Sequence, residues 1–166
     1  MLRVKSDFEE RFKGYNREGT IAPFLHKGEW ALHQMLEDLL ERIGPAKVRL
    51  MTFNISEDSL RSFFFNHRIE SLQMLLDLNI KRNKLDLLYF ASEIASEIRV
   101  DAIHAKVFLV DNPTYKFGIV GSQNLNQVHR YESGFYFTGG PAFDFFSREF
   151  DDIFLSALPY DTTAVK

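Results

Sequence analysis

Residues 103–124 read IHAKVFLVDNPTYKFGIVGSQN. Side chains of an extended chain alternate between two faces. Ile103, Ala105, Val107 and Leu109 therefore share one side, and His104, Lys106, Phe108 and Val110 the other. The spacing predicts a strand over most of 100–110 and a hairpin partner over 116–120. Between them, Asp111-Asn112-Pro113-Thr114 has the composition of a turn. Upstream, Leu32, Met35, Leu36, Leu39, Leu40 and Ile43 recur at three- and four-residue intervals, predicting a helix over 28–43 that Gly44-Pro45 ends. A strand over 48–53 follows, then a helix capped by Ser56, with Glu57 and Asp58 in the first turn where the helix dipole favours anions. Leu60, Phe63, Phe64 and His67 lie along that helix. A strand over 71–76 and a helix over 85–96 come next. Downstream of the hairpin, a strand is expected over 132–137 and a last helix over 142–157, opened by Gly139-Gly140-Pro141. Residues 1–25 show no clear period and read as an N-terminal extension with a short helix near 8–13. Residues 26–160 read as one domain and 161–166 as a tail. Helices alternating with strands early, and a hairpin late, predict an α/β fold with a mixed β-sheet flanked by helices on both faces.

The composition narrows the function. A chain of 166 residues, 45% apolar and with 17 Phe, can bury one substantial core. No apolar run approaches a membrane span, and the first ten residues lack the apolar region of a signal peptide. The absence of cysteine removes disulfides, thiolate chemistry and zinc ribbons. These features fit a cytoplasmic protein with no stable membrane association. The net charge of −3 means that any contact with nucleic acid must rest on a local basic patch. Lys81-Arg82-Asn83-Lys84 is the most basic run, and Lys81, Arg82 and Lys84 are candidates for guiding a nucleic-acid backbone. The alternative reading is a solvated turn before a helix.

The chemistry concentrates in one region. His104 and Lys106 set an imidazole and an ammonium side by side, a pair costly to bury without purpose and well suited to meeting an anion. Gly121 allows a ligand close to the backbone, while Ser122 and Asn124 supply hydroxyl and amide donors. Glu132 is placed to accept an imidazole Nδ1–H, which would fix the tautomer and leave Nε2 as a nucleophile. This set suits the breaking of a phosphodiester with no metal and no cofactor. Chance gives about 0.3 His-x-Lys pairs in such a composition, but only about 0.02 when an Asp must follow five positions after the Lys.

His104-x-Lys106-x4-Asp111, followed by Gly121-Ser122-x-Asn124, resembles the HKD signature of the phospholipase D superfamily. Glu132 sits where that family often carries an acidic residue. The separation of Asp111 from Gly121 is longer than the family's usual pattern, and a hairpin turn through Pro113 can absorb the difference. The resemblance implies a phospholipase D/nuclease-like α/β/α sandwich and a two-step reaction through a covalent phosphohistidine. It also implies that Lys106, Ser122 and Asn124 hold the phosphoryl oxygens and that Asp111 is structural rather than catalytic. Two histidines are needed and one motif is present. The small single-motif endonucleases of the superfamily meet this need as homodimers with the active site at the interface, and this chain is similar to them in size. His26, His33, His67 and His129 have no matching Lys or Asp and read as surface or helix-face residues.

The expected activity is therefore a metal-independent phosphodiesterase, with DNA or RNA as substrate. The alternatives are a phosphodiesterase acting on a phospholipid head group, or a non-catalytic module for nucleic-acid binding or dimerisation. Phe63-Phe64-Phe65 could form a lipid or partner patch, although helical spacing predicts that at least two of them enter the core. Trp30 reads as a packing residue, and Thr52 and Asn54 as possible pocket-lining residues.

Overall fold

A computed structural model describes residues 6–126 and 129–160. Its elements run α1 (Ser6–Arg11), β1 (Ile21–Lys27), α2 (Leu32–Ile43), β2 (Ala46–Thr52), α3 (Glu57–Phe64), β3 (Ile69–Asp77), α4 (Leu78–Asn83), α5 (Leu85–Ile94), β4 (Glu97–Asp101), β5 (Val107–Asn112), β6 (Tyr115–Gly121), β7 (Tyr131–Thr138), α6 (Gly140–Ser156) and β8 (Leu158–Pro159). The strands form one sheet in the order β1-β7-β6-β5-β2-β3-β4-β8. β2, β3 and β4 run parallel, and the remaining pairings are antiparallel. The expected mixed α/β sheet with helices on both faces is the fold observed.

Both faces of the sheet are buried. Val48, Leu50, Leu72, Met74, Phe108, Val110, Phe117 and Ile119 point into a core shared with α2, α3 and α5. Met51, Leu75, Val107 and Leu109 point the other way, onto Phe143, Phe150 and Phe154 of α6. The central strands thus bury alternate residues on opposite sides, as a sheet covered by two helical layers must. Phe8 and Phe12 close the first core over β6 and β7, Phe12 meeting Phe117 at 5.9 Å and Tyr136 at 5.2 Å between ring centroids. Burial pushes the phenols of Tyr115 and Tyr136 above the ordinary tyrosine value, with Tyr15 adding to the shift at Tyr115.

Local signals explain several element ends. Ser56 caps α3, its side chain accepting the Ser59 N–H at 3.3 Å. Helix α2 starts at Leu32, later than the expected Gly28. Gly28 takes φ 63°, outside the helical region, and the Gln34 side chain caps the free Ala31 N–H at 3.0 Å. Gly44, at φ 82°, ends α2.

Four expectations need correction. The predicted strand over 100–110 is two strands, β4 and β5, separated by the irregular segment 102–106. The reason is topological. β4 lies beyond β3, whereas β5 lies on the far side of β2, so the chain must cross the ends of β3 and β2 and reverse direction. Residues 21–27, where no strand was expected, form β1 and pair with β7 from Ile21↔Phe137 to Lys27↔Tyr131. Only Phe63 of the three adjacent phenylalanines is buried. Phe64 and Phe65 are 51% and 69% exposed because α3 stops at Phe64 and its short apolar face has room for one of them. His67 lies in the turn after α3 rather than on the helix.

Candidate active site

The crossing segment explains how the site is built. Parallel strands β2, β3 and β4 end at one edge of the sheet. Antiparallel β5 and β7 begin there, and β6 ends there. His104 and Lys106 sit on the segment that runs across this edge, Gly121 closes β6, and Glu132 is the second residue of β7. An open α/β sheet places ligands at the carboxyl ends of its parallel strands, and the candidate residues gather at that end.

The hairpin brings the two halves of the motif together. Val107 pairs with Val120, so the next position sets Lys106 beside Gly121, and the Gly121 N–H reaches the Lys106 carbonyl at 3.4 Å. A two-residue turn at Pro113-Thr114, with Asn112 opposite Tyr115, absorbs the long Asp111–Gly121 separation by lengthening both strands. The Lys106 ammonium donates to the His104 carbonyl at 2.6 Å and lies 3.3 Å from His104 Nδ1. The Phe53 ring, at the end of β2, packs 5.0 Å from the His104 ring and 5.7 Å from Lys106 Nζ. An ammonium can only donate, so in this arrangement Nδ1 is the acceptor and the His104 proton resides on Nε2.

Ser122 and Asn124 are held from behind. The Ser122 hydroxyl donates to the Glu132 carboxylate in a short bond and accepts the Ser133 N–H at 3.1 Å. Asn124 Oδ1 accepts the Asn54 N–H at 3.2 Å, which leaves the Asn124 amide hydrogens for another acceptor. Thr52 Oγ1 donates to the Asn54 carbonyl at 2.8 Å and accepts the Leu125 N–H at 3.2 Å. Thr52 and Asn54 therefore brace the loop, and Thr52 also lines a small cavity with Lys106, Gly121 and Gln123.

Other candidates take different places. Among the described residues Glu132 makes no bond to His104 of its own chain; its partner is Ser122. Asp111 lies on β5 beyond the site, where it pairs with Arg49 at 3.2 Å, and Arg49 also reaches Asp151 of α6 at 3.0 Å. Lys81 and Arg82 are exposed on α4, which leaves the site-bearing end of β3. Lys84 instead turns inward, donating to Asn54 Oδ1 and, at 3.4 Å, to the Ile55 carbonyl. Among the described residues no group of three or more metal-ligating side chains forms. No helix among them is long and apolar enough to cross a membrane.

Gly121 has a different task from the one expected. A Cβ there would lie 2.3 Å from the Ser133 carbonyl oxygen and 2.9 Å from the Gly134 Cα. The β7 backbone itself demands glycine here, and Gly134 faces Gly121 across the same pair. Gly121→Ala is expected to cost about 1–3 kcal/mol by overpacking and to displace Ser122. Thermal denaturation checks the first effect, and an unchanged midpoint would refute it.

Sequence reasoning missed four contributors. Asp77 accepts the Ile103 N–H and so holds the crossing segment. Phe53 packs on the His104 ring. Gln123 and His26, both 5% exposed, form a buried polar contact behind the loop. His26 is thus an interior residue of β1, contrary to the surface reading. The alternation of Ser122, Gln123 and Asn124 was the signal that Gln123 points inward.

The chain has the fold of the phospholipase D superfamily. It superposes on Nuc, a phospholipase D family member from Salmonella typhimurium, with a TM-score of 0.68 and 16% identity over 87% of this chain and 100% of Nuc. It matches NucT from Helicobacter pylori with a TM-score of 0.64 and 14% identity over 85% of this chain and 100% of NucT. The archaeal chromatin protein TrmBL2 matches with a TM-score of 0.53 and 15% identity, over 83% of this chain and 54% of TrmBL2. No family model and no curated protein sequence matches the chain.

Proposed function

We propose that the protein is a metal-independent phosphodiesterase that hydrolyses nucleic acid in an active site shared by two copies of the chain. One observation carries the reading: His104, Lys106, Ser122, Asn124 and Glu132 converge on one end of a phospholipase D-type sheet. His104 Nε2 of one subunit attacks phosphorus, forming an N–P bond as the P–O bond to the leaving group breaks. The second His104, as the imidazolium, gives its Nε2 proton to the leaving oxygen and is left neutral. That same histidine then takes a proton from water, whose oxygen attacks phosphorus and breaks the N–P bond. Lys106, the Asn124 amide hydrogens and Ser122, whose hydroxyl hydrogen is released when Glu132 turns to the partner's imidazole, stabilise the charge on the phosphoryl oxygens.

The arrangement within one chain favours the shared site. There the His104 N–H is on Nε2 and Lys106 lies at Nδ1, an arrangement in which Nε2 cannot attack. A nucleophilic Nε2 needs the proton on Nδ1 and an acceptor for it. Glu132 does not supply that acceptor in its own chain, so we assign it to the partner subunit's imidazole. Ile21, Leu25, Tyr131 and Phe135 are more than half exposed on the strands that bound the site, providing apolar area for a contact between copies. Lys81 and Arg82 extend the positive charge along the same edge for a nucleic-acid backbone. The cysteine-free composition fits a cytoplasmic setting.

Incubation of the purified protein with DNA and with RNA in EDTA, with phosphatidyl vesicles as a parallel substrate, tests the proposal. Cleavage of nucleic acid that the chelator leaves intact is expected. TrmBL2 shows that related folds occur in proteins that bind DNA. Retention of DNA in a gel without cleavage would replace the enzyme with a binding module, and turnover of lipid alone would change the substrate.

A further inference from the structure

The loop that carries Ser122 and Asn124 has an anchor between them. Gln123 points inward and is 5% exposed. Its Nε2 donates to the Trp30 carbonyl at 3.0 Å, which fixes the orientation of the amide. Its Oε1 must then accept, and it lies 3.2 Å from His26 Nε2. The Glu29 N–H donates to His26 Nδ1 at 3.2 Å, so the remaining ring hydrogen is on Nε2, where Gln123 needs it. One assignment satisfies the whole chain of bonds: Glu29 N–H to His26, His26 to Gln123, Gln123 to Trp30. The His26 ring also stacks on Trp30, with centroids 4.3 Å apart and planes 25° apart. The network ties the loop after β6 to the end of β1 and to the segment that starts α2.

We propose that Gln123 and His26 are positioning residues, which lock the phosphate-holding loop so that Ser122 and Asn124 present their donors together. Ser122 is exposed, Gln123 buried and Asn124 half-buried, so holding the middle residue inward keeps its neighbours on the outer side. Ser133 and Asn54 hold the flanks, but their bonds set each donor separately. Among the described residues, Gln123 is the side chain whose hydrogen bond joins the loop to β1. The inference rests on the phosphodiesterase reading for its kinetic consequence and on geometry alone for its structural one.

Gln123→Leu keeps the volume and removes both bonds. His26→Phe keeps the stack on Trp30 and removes the polar atoms, so it serves if the first variant folds poorly. Amide hydrogen exchange over 121–125 is expected to quicken at least about tenfold in either variant, while the sheet strands keep their protection. Turnover of bis(p-nitrophenyl) phosphate should fall about 10- to 100-fold in kcat with KM within about twofold, because misplaced donors weaken the transition state. The double variant should be no worse than the worse single one, since the residues act as a unit. Unchanged exchange, additive losses or a wild-type kcat would overturn the lock. If the wild type turns over no phosphodiester, the enzymatic reading fails, and the exchange rates alone decide on the lock.

Discussion

Replacing His104 with Asn is expected to lower kcat for nucleic-acid cleavage by at least about 10⁴-fold, because it removes the attacking nitrogen and the proton donor in one change. The fold should be unaffected, since His104 is exposed on the crossing segment and, among the described residues, its ring meets Phe53 and Lys106. Mixing makes the test sharper. If one site needs two imidazoles, equal amounts of wild-type and His104→Asn subunits leave about a quarter of the dimers complete. Activity should then fall to about a quarter after subunit exchange. A fall to one half would show that each chain works alone and would refute the shared site.

Asp77→Ala is expected to be the most damaging change outside the reacting groups. The Asp77 side chain is 6% exposed, and its two oxygens accept the Asn79 and Ile103 N–H groups, each at 2.8 Å. One bond starts α4, and the other holds the segment that carries His104 and Lys106. Alanine leaves a buried donor unpaired and removes two charge-assisted bonds, a loss of about 2–4 kcal/mol. For a chain of this size that lowers Tm by about 5–15 °C. Asp77→Asn keeps one acceptor and should lie between. The loosened crossing should depress kcat even at temperatures where the variant is folded. A midpoint equal to wild type would show that Asp77 holds nothing of consequence.

The parts of the structure legible in the sequence are those governed by period and by local chemistry. The α2 stripe, the Ser56 cap and the β5–β6 hairpin belong to that class, as does the gathering of His104, Lys106, Ser122 and Asn124 at one end of the sheet. β1 escaped because its alternation places Pro23 and Leu25 on an exposed face and His26 on a buried one, the reverse of what polarity suggests. The break between β4 and β5 escaped because 100–110 is mostly apolar with an alternation that suits a single strand, and only the strand order reveals that the chain must cross two neighbours there. Lys84 read as surface charge, yet its ammonium bonds Asn54 and Ile55, a contact set by tertiary packing. Asp77 carries no local signal of its importance and Gln123 only its place between two polar neighbours, because each acts on a backbone or side chain far away in sequence.

The sheet's outermost strands each contain a proline, Pro23 in β1 and Pro159 in β8. The Thr138 N–H bonds to the Thr20 carbonyl, and this register turns the Pro23 nitrogen toward the free margin, in the row that would otherwise offer donors to a newcomer. A copy of the chain therefore finds an interrupted template at either margin and cannot continue the ladder across it. In the proposed dimer the subunits would therefore meet face to face or end to end. That constraint blocks open-ended strand addition while leaving the carboxyl end of the sheet free for closed pairing.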